Sequence, residues 1–290
     1  MLLIIYVAEY AILEEVNGYR MNIIVLIKQV PGTTNVRMDP QTGAMIRDPS
    51  DTVLNPLDEH AVTEAARIKE RHPGTKVTAL TMGPASATRV LQEACARGAD
   101  AGVLLSHKAF AGSDTIVTAR VLTAAIRKLG PFDLILAGDK SIDGETGQVG
   151  PMTAAQLGIP VVTFVRRLVI EGNLIFAQRL VEEGVEEIEA SLPALITVVR
   201  DINDPPLPSL RRFVMAKKLS YPAWGPEELE MKAADAGLKA SPTRVVKVFS
   251  PKFARNATLY KADRDDGMQA AAQAVIGLLK TKDLLKKGEV

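Results

Sequence analysis

Short apolar strands alternating with amphipathic helices constrain this chain more than any other feature. Residues 23–27 (IIVLI) contain no polar side chain, the mark of a strand covered on both faces. Residues 76–81, 101–105 and 133–137 continue the pattern. Between them lie helical stretches. One opens at Asn55-Pro56, with Asn as N-cap and Pro at the first helical position, and presents Ala61, Ala65 and Ile68 on one face. A second runs over 84–97 and is closed by Gly98, a third covers 113–129, and a fourth is opened by Pro151. Such a β-α-β-α rhythm calls for a parallel sheet with helices on both sides.

Two departures from the rhythm are informative. Residues 36–48 carry PQTG between short extended pieces and predict a hairpin excursion. After a strand at 160–165, segments 168–170, 174–180, 186–190 and 195–199 are strands separated by EGN and EEG turns. They predict antiparallel hairpins that extend the sheet. Beyond Asn203 regular structure lapses into NDPPLPSLRRF, and a last helix over 265–287 ends in lysines. The expected organisation is an α/β domain over 21–200, a docking segment over 201–225 and a C-terminal arm over 226–290. An arm without a large core of its own usually embraces a partner.

The first twenty residues need a separate decision. Their apolar run is too short to span a bilayer and lacks the basic flank of a signal peptide, while Glu9, Glu14 and Glu15 argue against a transit peptide. Met21 opens a better strand, so residues 1–20 are expected to be an extension ahead of the true start. A genuine short N-terminal helix is the alternative. A cytoplasmic chain without membrane insertion is expected.

The chain is poor in the groups that usually carry chemistry. One cysteine and three histidines among 290 residues build neither a disulfide framework nor a structural zinc site. A formal charge of +1 supplies no general attraction to nucleic acid. Cys95, at helical spacing from Leu91, is expected in the core, and His60, His72 and His107 share no metal-like spacing. Any chemistry therefore points to a bound cofactor and no catalytic side chain.

Residues 138–151 (GDKSIDGETGQVGP) are the most informative loop. They follow a buried strand, hold four glycines and run into a helix, the setting in which backbone amides approach a phosphate. No established phosphate-loop pattern matches, so a turn-rich surface loop remains the alternative. In AFAGSDTIVT, Thr115 and Thr118 lie on one face of a helix start; they suit a pyrophosphate or belong to simple capping. Asp143 and Glu145 orient a ligand or cap the loop. Leu210 and Phe213 stand among Arg211, Arg212, Lys217 and Lys218, which suggests either a docking surface or a solvated basic loop.

Three segments together resemble the β-subunit of electron transfer flavoproteins. The first is Ala177-x-Arg179-x-x-Glu182-Glu183-Gly184-Val185-Glu186-x-Ile188 followed by Pro193-x-Leu195-Ile196-Thr197. The second is the 138–151 loop, similar to that family's adenine-nucleotide loop. The third is Asn203-Asp204-Pro205, Ser209-Leu210 and Ala216-Lys217-Lys218, similar to its partner-recognition loop. The resemblance spans about residues 21–220 and fits the arm only loosely. It implies a Rossmann-like, adenine-nucleotide-binding α/β domain with added antiparallel strands. It also implies a heterodimer with an α-subunit, contacted by the terminal helix, and a redox FAD shared with that subunit.

The β-site of such proteins holds AMP in ordinary members and a second FAD in electron-bifurcating members. By position, Leu26, Asn55, Met82, Gly138, Asp139, Ser141, Asp143, Gly144, Glu145, Thr146, Gly147, Gln148, Val149 and Gly150 would line that nucleotide. Thr115, Thr118 and the room left by Gly144 resemble the bifurcating type, although Gly147 stands where alanine is more usual. The expected donor is NADH. The expected acceptors are an acyl-CoA dehydrogenase or quinone-linked oxidoreductase and, separately, ferredoxin or flavodoxin. Leu210 would enter the dehydrogenase, with Arg211, Arg212, Lys217 and Lys218 bounding the contact.

Overall fold

The computed structural model describes residues 20–32, 37–38, 45–46, 52–246, 259–260, 265–282 and 284. The chain divides into two compact units, 1–247 and 248–290. Of the extension expected over 1–20, residues 1–19 lie outside the described residues.

In the first unit the elements follow the expected alternation. They are β1 (Asn22–Leu26), β2 (Gln29–Pro31), β3 (Arg37–Met38), β4 (Met45–Ile46), β5 (Thr52–Leu54), α1 (Pro56–Arg71), β6 (Lys76–Met82), α2 (Thr88–Arg97), β7 (Ala101–Leu105) and α3 (Thr115–Leu129). Then come β8 (Leu134–Gly138), α4 (Val149–Leu157), β9 (Val161–Glu171), β10 (Leu174–Val181), β11 (Gly184–Ser191), β12 (Ala194–Val198), α5 (Leu210–Ala216), β13 (Ala223–Trp224) and α6 (Gly237–Ala240). The strands of the excursion pair antiparallel as β3 and β4, while its PQTG turn lies outside the described residues.

The central sheet runs β11-β10-β9-β12-β8-β1-β6-β7-β13. From β9 to β13 neighbouring strands are parallel, whereas β10 pairs antiparallel with both β9 and β11. One apolar core lies between the sheet and α1, α2 and α5, through Ala61, Val62, Val90, Leu91 and Ala216. The other face is covered by α3 and α4 through Val117, Val121, Leu122 and Ala154. Cys95 and His60 are buried in this unit, as packing residues.

The chain crosses from β1 to β6 and β7 on one side, then returns to place β8 on the other side of β1. That reversal is the topological switch point of an open α/β sheet, and a crevice opens beyond the carboxyl ends of the strands there. The glycine loop leaves β8 at this position.

Three expectations need correction. The two strands expected over 160–170 are one strand, β9, which stays continuous although Phe164 has φ 59°. Its amide donates to the Thr197 hydroxyl, 3.2 Å away, which ties the irregular residue to β12. The stretch after Asn203 is not wholly irregular, because Ser209 caps α5 by accepting from the Arg212 amide. Residues 223–224 then return to the sheet edge as β13. Residues 226–246 also contribute Leu229 and Ala236 to the α3-side core.

In the second unit α7 (Asp265–Thr281) is the expected terminal helix, with Met268, Val275, Ile276 and Leu278 exposed. Residues 285–287 lie outside the described residues. Among the described residues no helix is long and apolar enough to cross a membrane, and no cluster of ligating side chains could hold a metal ion.

Candidate functional site

Asn55 and Asp58 at the start of α1 organise the crevice. Asn55 occupies the N-cap position but makes no capping bond with its side chain, contrary to expectation. Its amide instead donates to the Lys140 carbonyl at 2.9 Å and accepts from the Ile142 amide at 3.2 Å. Buried backbone groups need partners, and Asn55 offers one donor and one acceptor to the same loop.

Asp58, only 5% exposed, ties together the carboxyl ends of the two strands at the switch point. One carboxylate oxygen accepts from the Lys28 amide just after β1 at 2.7 Å, and the other from the Gly138 amide at 3.2 Å. Burial pushes its carboxyl up to about 7, against the Asn55, Lys28 and Gly138 bonds that favour ionisation. Only glycine fits at 138. A Cβ there would stand 2.6 Å from the Asp58 carboxylate and 2.8 Å from the Leu57 backbone.

Lys28 closes the loop from above. Its ammonium lies 2.6 Å from Asp143 and donates to the Ser141 hydroxyl at 3.2 Å. Burial opposes ionisation of Asp143, but these Lys28 and Ser141 contacts outweigh it and hold the carboxyl below its ordinary range. Asp139 behaves oppositely: burial raises it, and its Oδ1 is buried with no hydrogen-bond partner among the described residues. Gly144, Glu145 and Thr146 form the exposed rim. Glu145 and Gly147 have φ of 53° and 61°. Glycine adopts the latter at no steric cost where alanine would be strained, which accounts for the residue at 147.

The second candidate segment meets the first. The Thr115 hydroxyl, at the start of α3, lies 3.0 Å from Gln148 Oε1, at the start of α4. Two helix N-termini therefore converge beside the end of β8. Asp114 is the cap of α3, accepting from the Val117 amide at 3.1 Å and from the Thr243 amide and hydroxyl at 3.0 and 2.8 Å. Capping thus belongs to Asp114 and leaves the Thr115 and Thr118 side chains to other duties. Helix α4 begins at Val149, so Pro151 is its third residue and Gly150 is buried within its first turn. Leu26 is buried in the α3-side core, with half-buried Met82 packed against it at the carboxyl end of β6.

A second surface is built around α5. Asn203 is buried, donating to the His60 carbonyl at 3.0 Å and to Glu64 at 3.1 Å. Arg97 donates to the Pro206 carbonyl at 3.2 Å while pairing with Glu59 and Glu93 at 2.9 Å. These anchors on α1 and α2 hold the proline-rich segment in place. Leu210, the first residue of α5, is 80% exposed. Arg211, Arg212, Lys217 and Lys218 are exposed around it, with the Lys217 ammonium 5.2 Å from the centre of the Phe213 ring.

Asp58, Lys28 and Leu207 escaped the sequence reading. Leu207 is 91% exposed three residues before Leu210, and that spacing within a proline-rich stretch was the available signal. Asp58 looks like an ordinary first-turn acid, and Lys28 like a solvated residue after a strand.

The electron transfer flavoprotein domain model matches residues 42–236. An electron transfer flavoprotein subunit beta from Thermoanaerobacterium thermosaccharolyticum is 42% identical over 250 residues, covering 86% of this chain and 95% of the relative. The caffeyl-CoA reductase-Etf complex subunit CarD of Acetobacterium woodii is 44% identical over 231 residues, 80% of this chain and 88% of its own. Protein FixA of Azotobacter vinelandii is 38% identical over 270 residues, 89% and 94% of the two chains.

Proposed function

The chain belongs to the electron transfer flavoprotein family as a β-subunit, and on that footing we propose that it holds FAD and takes electrons from NADH for bifurcation. Its partner is an α-subunit that contributes a second FAD. The acceptors are an acyl-CoA dehydrogenase or quinone-linked oxidoreductase at high potential and ferredoxin or flavodoxin at low potential. The name of the Acetobacterium woodii relative, a subunit of a CoA-ester reductase complex, supports the first of these classes.

One observation carries the nucleotide reading: the Thr115–Gln148 contact brings two helix N-termini together at the switch point of the sheet. Helix N-termini offer free amides and a positive dipole end to phosphate oxygens. The chemistry of the loop fits an adenine dinucleotide. Asp139 Oδ1, buried and partnerless, is suited to accept from a ligand hydroxyl or amine. Thr115 and Thr118 offer hydroxyls for a pyrophosphate, and Leu26 and Met82 an apolar floor. The domain expected over 21–200 serves this site, and residues 201–225 serve docking. FAD, where bound, supplies a hydride acceptor that can release its electrons singly.

Anaerobic titration of the purified α–β complex with NADH tests the proposal. Uptake of about two NADH equivalents per heterodimer is expected, one for each flavin. Uptake of one equivalent or none would reject it. Thr115→Val tests the pyrophosphate role separately. It should weaken flavin retention roughly tenfold to a hundredfold, the loss of one hydrogen bond to a charged group. Equilibrium dialysis showing unaltered affinity would leave Thr115 only its contact with Gln148.

A further inference from the structure

Away from the glycine loop, a cleft of about 620 Å³ lies between the outer faces of α3 and α4 and residues 230–235. Arg120 and Arg127 project from one stripe of α3 with Thr123 buried between them, and Gln156, Met231 and Lys232 complete the lining. It is an open groove, with Arg120, Arg127, Glu230, Lys232 and Asp235 all exposed along it.

The side chains are arranged but incompletely used. The Arg120 guanidinium donates to the Asp235 carbonyl at 3.0 Å, and that of Arg127 to the Gln156 carbonyl at 2.9 Å. Each guanidinium has five N–H donors, so most remain available. Neither arginine, nor Lys232, lies within ion-pair distance of a carboxylate among the described residues. Thr123 is 3% exposed, yet its hydroxyl has no hydrogen-bond partner among the described residues. A buried hydroxyl without a partner forfeits its hydration with nothing in return. At the lip, Glu230 holds φ 53°, a conformation that a side-chain-bearing residue rarely adopts.

We propose that this cleft is a second ligand site, for a small organic phosphate, with Arg120, Arg127 and Lys232 on the anion and the Thr123 hydroxyl bonded to it. Three cations against the carboxylates of Glu230 and Asp235 leave the lining positive. Guanidinium forks match phosphate oxygens in pairs. The volume leaves room for an organic body against Ala124 and Met231, and the two carboxylates suit its hydroxyl or ammonium groups.

Inorganic pyrophosphate is the probe, titrated calorimetrically into the purified α–β complex with its resident nucleotides bound. One additional saturable site per heterodimer is expected. Joint replacement Arg120→Ala and Arg127→Ala should weaken it about tenfold or more, with nucleotide content unchanged. Thr123→Val keeps the shape of the side chain and removes only the hydroxyl. It should weaken pyrophosphate about threefold to tenfold while the melting temperature holds or rises, because an unpartnered buried group is removed. Absence of a saturable site, or equal affinity in these variants, would overturn the proposal. Loss of α-subunit assembly in the arginine variant without pyrophosphate binding would also overturn it, and would make the cleft a subunit contact.

Discussion

Asp58→Ala is expected to strip the β-subunit of most of its nucleotide. The substitution removes both acceptors that bind the Lys28 and Gly138 amides, so the loop loses its tie to the two strands at the switch point. Losing two such bonds costs about 1–3 kcal/mol at the loop, or roughly fivefold to 150-fold in nucleotide affinity. Equilibrium dialysis after gel filtration measures this directly, with circular dichroism as a check on the fold. Retention equal to wild type would remove Asp58 from the positioning role.

The same residue sets a pH dependence whose sign follows from its environment. Its native carboxyl sits at about 7, above the ordinary value of 3.8, because burial disfavours the charge. The native state therefore holds this proton more tightly than the unfolded chain does. Its contribution to stability is full below about pH 4 and is lost as pH rises towards about 7. The loss is on the order of 4 kcal/mol for a shift of this size. Asp58→Asn cannot titrate. The stability difference between wild type and this variant should therefore move against wild type across that window. A pH-independent difference in thermal unfolding would contradict the assignment.

Leu210→Ala should slow electron transfer to the proposed partner dehydrogenase about tenfold or more while leaving nucleotide content unchanged. The leucine stands exposed on a short helix whose approach is fixed by Asn203, bonded to His60 and Glu64 of α1, and by Arg97 of α2. An anchor presented in place loses little entropy on docking, and removing such an apolar contact costs on the order of 2 kcal/mol. Stopped-flow reduction of the complex by the reduced dehydrogenase reports it. Unchanged kinetics would remove Leu210 from the docking role. A matching loss of nucleotide would instead mark the defect as structural.

The parallel sheet was legible because strands covered on both faces need uninterrupted apolar runs, and residues 23–27 and 134–137 contain nothing else. The glycine loop was legible for a related reason, since few sequences follow a buried strand with so many turn residues and then enter a helix. What escaped was set by distant contacts. Asn55 satisfies every local rule for a helix cap, yet the carbonyl and amide of a loop more than eighty residues away claim its side chain. Helix α5 hides within a proline-rich stretch because its stability comes from packing Phe213 and Ala216 on the core beside α2, not from local pattern. Strand β13 is two residues long and carries no periodicity at all. The cleft at Arg120 joins residues more than a hundred positions apart, which no local spacing announces.

The central claim is that the crevice at the switch point holds a redox flavin. Acid extraction of the α–β complex followed by chromatographic quantitation of its nucleotides tests it most directly. Close to two FAD per heterodimer and no stoichiometric AMP are expected; one FAD together with one AMP would show that the crevice holds no flavin.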